Sequence, residues 1–186
     1  MSEKVPAEAK SDLIERILEI ELQWFLTVNP HITAECQEHP EVFKLMRQSP
    51  YETWSARTLT LHLEHFIDAQ DKGRNLVREK YAKMEGSMPC VNTSPALQKS
   101  VEIEERWFEE TQEKYPNIVG AAGGKGFQRY LGCELDTFSQ ETLDSYYQDR
   151  LAAEKEGRNL VIEAYDGIAK KMGYKSIDEW NQKQGG

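Results

Sequence analysis

Two glutamates stand where a soluble helix does not ordinarily carry charge. Glu21 falls between Ile17/Leu18 and Trp24/Phe25, and Glu104 between Val101 and Trp107/Phe108, each in the middle of an apolar stripe. A carboxylate moved from water into a helix interface is costly unless it is paired, hydrogen-bonded or protonated. Arg74 and Arg158 are the expected cationic partners, because each recurs along the chain with one of the glutamates. The sharper reading is an interior polar site in which the two carboxylates approach each other. His62 supports it, since it falls on the apolar stripe of another helix with His65 one turn on. Carboxylates on one pair of helices and nitrogen ligands on another are the inventory of a carboxylate-bridged dimetal bundle. That motif needs Glu-x-x-His on two helices, whereas the spacing here is His62-x-x-His65, and Tyr146 and Asp149 hold the corresponding places further on. Two readings are left: a single transition-metal site held by Glu21, His62 and His65, with Glu104 as a further ligand, or a buried His62 that is simply hydrogen-bonded.

Two asparagines and a cysteine are further candidates. Asn75 and Asn159 point away from the apolar stripe. They either hold a loop, residues 31–39 or 115–126, over the helix, or face a ligand as a pair of amides. Cys36 reads as a small buried residue or as a nucleophile. With Cys90 and Cys133 it makes an odd, widely spaced set without C-x-x-C, which suits a reduced, cytoplasmic compartment. All four histidines lie in the first half, so no Ser-His-Asp grouping can be argued. The glycine-rich stretch Gly120–Gly126 reads as a flexible loop. It lacks G-x-x-x-x-G-K-[ST] spacing and a preceding strand, so no nucleotide is expected there.

These residues are positioned by a chain that repeats itself. Gly73-Arg74-Asn75-Leu76-Val77 returns 84 residues on, letter for letter, at Gly157-Arg158-Asn159-Leu160-Val161. At the same offset Tyr81 meets Tyr165, and Trp54-Ser55-x-x-Thr58-Leu59 meets Phe138-Ser139-x-x-Thr142-Leu143. Glu19-Ile20-Glu21-x-x-Trp24-Phe25 matches Glu102-Ile103-Glu104-x-x-Trp107-Phe108 after a shift of one residue. Internal self-similarity on this scale predicts a duplicated structural unit: 11–84 and 94–168, joined by a linker at 85–93 and followed by a short helix and tail at 174–186. The whole is expected to be one all-α domain, a helical bundle in which each unit contributes a helix, a short helix and a long helix about a pseudo-twofold axis.

Within each unit the local signals are specific. Residues 1–10 read as a tail, with the first helix starting near Ser11 or Asp12. Pro40 opens a short helix that Ser49-Pro50 closes. Ser55 and Ser139 are expected N-caps, with Trp54/Leu59 and Phe138/Leu143 as hydrophobic staples. A long helix then runs from about Ala56 to Met84. Gly73 and Gly157 inside it require a reason, either the close approach of a crossing helix or a break at which Gly caps one helix before the next begins. Ser94-Pro95 starts the second unit, and Ser176-Ile177-Asp178-Glu179 caps a last short helix. No stretch alternates with period two for long, so no sheet is expected.

Bulk properties bound the function. The net charge is −9, with 39% hydrophobic and 30% charged residues and a mean hydropathy of −0.70. An acidic chain lacks the surplus cations that bind nucleic acid or an anionic membrane. No apolar run reaches the length of a membrane span, and the polar N-terminus lacks the core of a signal peptide.

Taken together, Trp24-Phe25-x-x-Val28-Asn29, Ala34-Glu35-Cys36-Gln37, Phe43-x-x-Met46-Arg47, Gly73-Arg74-Asn75-Leu76, Lys80-Tyr81-Ala82 and Tyr130-Leu131-x-x-Glu134-Leu135-x-x-Phe138-Ser139 resemble an uncharacterised bacterial family of cytoplasmic proteins of this length. That family is known only as a domain of unknown function and implies no activity, cofactor or substrate. Its members often carry Gly-Gly-Arg before the Ala-x-Cys-Gln, where this chain has Pro30-His31-Ile32-Thr33. The expected function is non-catalytic binding of a small molecule or partner between the two units, by Glu21, Glu104, Arg74, Arg158, Asn75 and Asn159. The alternative is a metal-dependent enzyme on Glu21, His62, His65 and Glu104.

Overall fold

The computed structural model describes residues 7–28, 39–120 and 124–185. Among these the architecture is all-α, as the periodicity predicts. Nine helices follow in order: α1 (Ala7–Leu26), α2 (Pro40–Glu52), α3 (Ala56–Asp71), α4 (Leu76–Glu85), α5 (Pro95–Lys114), α6 (Gly124–Leu135), α7 (Gln140–Lys155), α8 (Leu160–Lys171) and α9 (Ile177–Gln184). α1 packs on α2, α3 and α4, and α5 packs on α6, α7 and α8. The two groups meet through α3 on α7, α2 on α8 and α4 on α6, while α9 rests on α8. Among the described residues the larger apolar cluster runs from Ile14, Ile17 and Trp24 through Leu59 and Phe66 to Leu135, Leu143 and Tyr146, and a smaller one gathers Ile103, Trp107, Ala153 and Leu160.

The long helices are not continuous. α3 ends at Asp71, and Gly73 turns the chain with a φ of 68°, which any side chain would strain. The Arg74 N–H donates to Ala69 O at 2.8 Å and the Gly73 N–H to Gln70 O at 2.9 Å, a Schellman closure. Gly157 does the same at φ 67°, with Arg158 N–H on Ala153 O at 2.9 Å. A side chain added at either glycine would meet nothing within 4 Å, so no helix crosses there. Such a close approach occurs instead at Gly167 of α8, where a Cβ would come within 3.2 Å of Ser49 Oγ on α2.

Asn75 and Asn159 then start the following helices. The Asn75 side-chain oxygen accepts from Arg78 N–H, and that of Asn159 from Val161 and Ile162 N–H. Their amide nitrogens donate to Trp24 O and Trp107 O, both at 3.0 Å. The shared pentapeptide is thus a helix stop, a helix start and a clasp on the end of α1 or α5. Ser55 and Ser139 are the expected N-caps, accepting from Thr58 and Thr142 N–H at 3.2 Å.

Three boundaries differ from the sequence reading. α1 begins at Ala7, ahead of Ser11. α2 runs through Pro50 to Glu52, because burial of Ser49 and Tyr51 against the core outweighs one lost backbone hydrogen bond. Of the glycine-rich stretch, residues 121–123 lie outside the described residues and Gly124–Gly126 already belong to α6. Cys36 and most of the 31–39 segment also lie outside them.

Candidate functional site

Glu21 and Glu104 are buried, at 3% and 8% exposure, as their place on the apolar stripes requires. Their partners are not Arg74 and Arg158. Arg74 forks onto Glu79 through Nε and Nη2 at 2.8 and 2.6 Å, and Arg158 onto Glu163 at 2.7 and 2.7 Å. Each arginine follows the glycine that swings the chain out of the helix, so it reaches the next turn at the surface and not the interior.

The cation beside Glu21 is Arg47 of α2, whose Nη2 lies 2.7 Å from Glu21 Oε1. The same nitrogen lies 2.5 Å from Glu134 Oε1 of α6 and donates to Tyr51 Oη at 3.0 Å. The Tyr51 hydroxyl in turn donates a hydrogen bond to Glu21 Oε2 at 3.0 Å. Lys80 of α4 completes the cluster, 3.6 Å from Glu134 Oε2 and donating to Tyr130 Oη at 3.0 Å. Burial opposes ionisation of Glu134, yet Arg47 and Lys80 outweigh it and hold that carboxyl down at about 2. Burial likewise works against the Lys80 charge, and Glu134 reverses it, so its pKa stands above the usual value.

Glu104 belongs to a second cluster. Its Oε1 accepts from Arg150 Nε at 2.8 Å and from Tyr146 Oη, both on α7. The Arg150 guanidinium lies 3.2 Å from the centre of the Tyr146 ring and 5.7 Å from that of Trp54. Arg150 is buried, and its Nη1 has no hydrogen-bond partner among the described residues. A guanidinium has five N–H donors in a fixed fork, and a buried one left unmade costs on the order of 1–3 kcal/mol.

Arg150 opens on a cleft of about 200 Å³ walled by α2, α5, α6, α7 and α8. Trp54, Phe127, Leu131, Phe138, Leu160 and Ile168 make its walls apolar. Arg47, Glu134, Tyr130 and Tyr165 add polar atoms at intervals. Burial raises the Tyr165 pKa and keeps its hydroxyl protonated. A wider groove between α1 and α2, about 520 Å³, is lined by Lys10, Lys44, Glu15 and Glu52, and none of the buried unpartnered atoms lies along it.

The two histidines do not form a metal site with the glutamates. Among the described residues no group of three His, Cys, Asp or Glu side chains is placed to hold a metal ion. His65 Nε2 donates to Thr137 O at 2.8 Å, across to the start of α7. His62 sits 1% exposed in an aromatic box, its ring 4.2, 4.7 and 5.1 Å from those of Phe66, Phe138 and Trp54. Neither of its ring nitrogens has a partner among the described residues, and burial pushes its pKa down to about 3. Asp149, the counterpart of His65, accepts from Ser55 N–H at 3.0 Å and Thr58 Oγ1 at 2.7 Å, binding the start of α3.

Sequence reasoning found both buried glutamates but missed Arg47, Arg150 and Glu134. At an offset of 84 these three align with Leu131, Phe66 and Pro50, so residues that recur at that offset do not point to them. The signal present was local: Arg150 and Glu134 follow Tyr146 and Tyr130 by one helical turn.

A family model described as "Protein of unknown function (DUF4125)" matches residues 11–182. The chain belongs to that family. No curated protein and no solved structure matches it. Membership in DUF4125 therefore assigns neither an activity nor a ligand to the cleft. No helix among the described residues is long and apolar enough to cross a membrane.

Proposed function

We propose that the protein is a non-catalytic binding protein whose cleft holds a small apolar molecule by a carbonyl or carboxylate oxygen. The observation that carries this reading is Arg150, which lines the cleft and whose Nη1 is buried without a partner among the described residues. The charges that line the cleft are already paired, Arg47 and Glu134 with each other and with Glu21 and Lys80 behind them, and Arg150 with Glu104. What the site lacks is a hydrogen-bond acceptor, and apolar walls with a few fixed polar groups are the usual build of a small-molecule site. At about 200 Å³ it suits a fragment of one ring better than a larger ligand.

The expected position of the site between two copies of one helical unit is part of the proposal. Its support is the pairing of elements. If α1–α4 correspond to α5–α8, the contact of α2 with α8 is the counterpart of that of α6 with α4, and α3 on α7 maps onto itself. On this reading, duplication supplied the frame, and later divergence at Arg47, Glu134 and Arg150 made one polar cleft. A cytoplasmic setting belongs to the same proposal.

Titration with benzamide, benzoate and benzylamine, followed by amide chemical shifts, tests the reading. Benzamide and benzoate should perturb α7 and α8 saturably, and benzylammonium, which offers only donors, should not. In Glu104→Gln/Arg150→Met, which removes both charges together, affinity for the first two should fall at least about tenfold. Equal binding of all three probes, or unchanged binding to the variant, would overturn it.

A further inference from the structure

We propose that Cys90 and Cys133 are a dithiol–disulfide pair, a modification site for low-molecular-weight disulfides such as oxidised glutathione. Their sulfurs lie 3.8 Å apart although the residues are 43 positions apart in sequence. Cys90 is exposed on the segment between α4 and α5, and Cys133 is buried on the last turn of α6. The juxtaposition is built by its surroundings. Asp136, three residues beyond Cys133, accepts from the Asn92 N–H at 2.7 Å and pairs with Lys83 Nζ at 2.6 Å. That same Nζ donates to Pro89 O at 3.0 Å. The connecting segment is therefore held on both sides of Cys90, directly over Cys133. The sulfurs, at 3.8 Å, have less than about 2 Å to close to reach the roughly 2.05 Å of a disulfide, and Cys90 stands on an irregular segment.

The chemistry assigns an order. Burial and the neighbouring Cys90 push the Cys133 thiol up to about 11, so it stays protonated until a partner arrives. The accessible Cys90, as thiolate, attacks one sulfur of oxidised glutathione, whose S–S bond breaks, releasing one glutathione thiolate. Cys133 then gives up its proton to the released glutathione thiolate and attacks the Cys90 sulfur of the mixed disulfide, expelling the second glutathione as thiolate, which takes a proton from water. Two protein thiols are oxidised by two electrons and one glutathione disulfide is reduced to two thiols. The product ties the α4–α5 connection to the helix that carries Glu134 of the buried cluster. This pair does not depend on the cleft's binding anything.

The test uses full-length protein carrying Cys36→Ser, equilibrated in mixtures of reduced and oxidised glutathione, acid-quenched, alkylated and digested with trypsin. Each cysteine falls in its own peptide: 17–44, 84–99 and 130–150. The expected product joins 84–99 to 130–150 within one chain, with loss of two hydrogens. Cys133→Ser should stop at glutathione on Cys90. Asp136→Asn, which loosens the segment, should lower the equilibrium constant for closure by roughly tenfold. In protein with all three cysteines the same two peptides should be joined, with 17–44 left free. Free thiols, glutathione on Cys90 without closure, links between chains, or a link to 17–44 would overturn the proposal.

Discussion

The neutral His62 has a consequence that can be measured as stability. Its pKa is lowered by burial from 6.5 to about 3, so the folded state refuses a proton that the unfolded chain accepts. A lowered pKa in a base means that stability is full above about 6.5 and is lost as pH falls toward 3. The slope between those values is about 1.4 kcal/mol per pH unit, which amounts to about 2 kcal/mol between pH 7.5 and pH 5. Urea unfolding followed by tryptophan fluorescence at several pH values reads this directly. The decisive perturbation is His62→Leu, close in volume and without ring nitrogens. Both nitrogens are buried and unpartnered among the described residues, so the variant should match or exceed wild type at pH 7, by up to about 3 kcal/mol. Its stability should also be lower in slope between pH 6.5 and 5 by about one proton. A variant that loses more than about 2 kcal/mol at pH 7, or keeps the wild-type slope, would refute the placement of a neutral, unbonded imidazole in the core.

Other expectations follow from the same contacts. Glu134, held at about 2 against an ordinary 4.5, adds stability that is present above 4.5 and lost as pH falls toward 2; Glu134→Gln should remove that part of the acid transition in thermal melts. Arg47→Met should destabilise by about 3–5 kcal/mol in denaturant, because it leaves Glu21 and Glu134 buried without their shared cation. Asn75→Ala and Asn159→Ala should each cost about 1 kcal/mol in the same assay, and the double variant should show the sum, since the two caps serve different helix pairs. Gly157→Ala should cost a further 1–2 kcal/mol or so by forcing a side chain into a left-handed turn.

How far the sequence disclosed this molecule depends on the range of the interaction. Ser55, Ser94, Ser139 and Ser176 mark helix starts because a cap is made within three residues, and all four accept a first-turn N–H. The glutamates at 21 and 104 could be seen to be buried because their neighbours fix which face of the helix points inward. Which cation meets them could not, because Arg47 and Arg150 come from other helices and neither has a counterpart at the repeat offset. Recurrence itself misled at Arg74 and Arg158. They recur with Gly and Asn because all three build one turn, and the glutamates that recur with them for pairing are Glu79 and Glu163. His62 and His65 looked like one ligand pair on one face, whereas one faces an aromatic box and the other a backbone carbonyl. Cys90 and Cys133 looked unrelated at a separation that only the fold closes.

The central claim is that the cleft receives an acceptor atom at Arg150, and a crystal of the protein soaked in benzamide tests it most directly. The ring is expected between Trp54, Leu131 and Ile168, with the amide oxygen turned to the Arg150 guanidinium and within about 3.2 Å of one of its nitrogens. Benzamide bound elsewhere, or seated in the cleft with its oxygen turned away from Arg150, would contradict it.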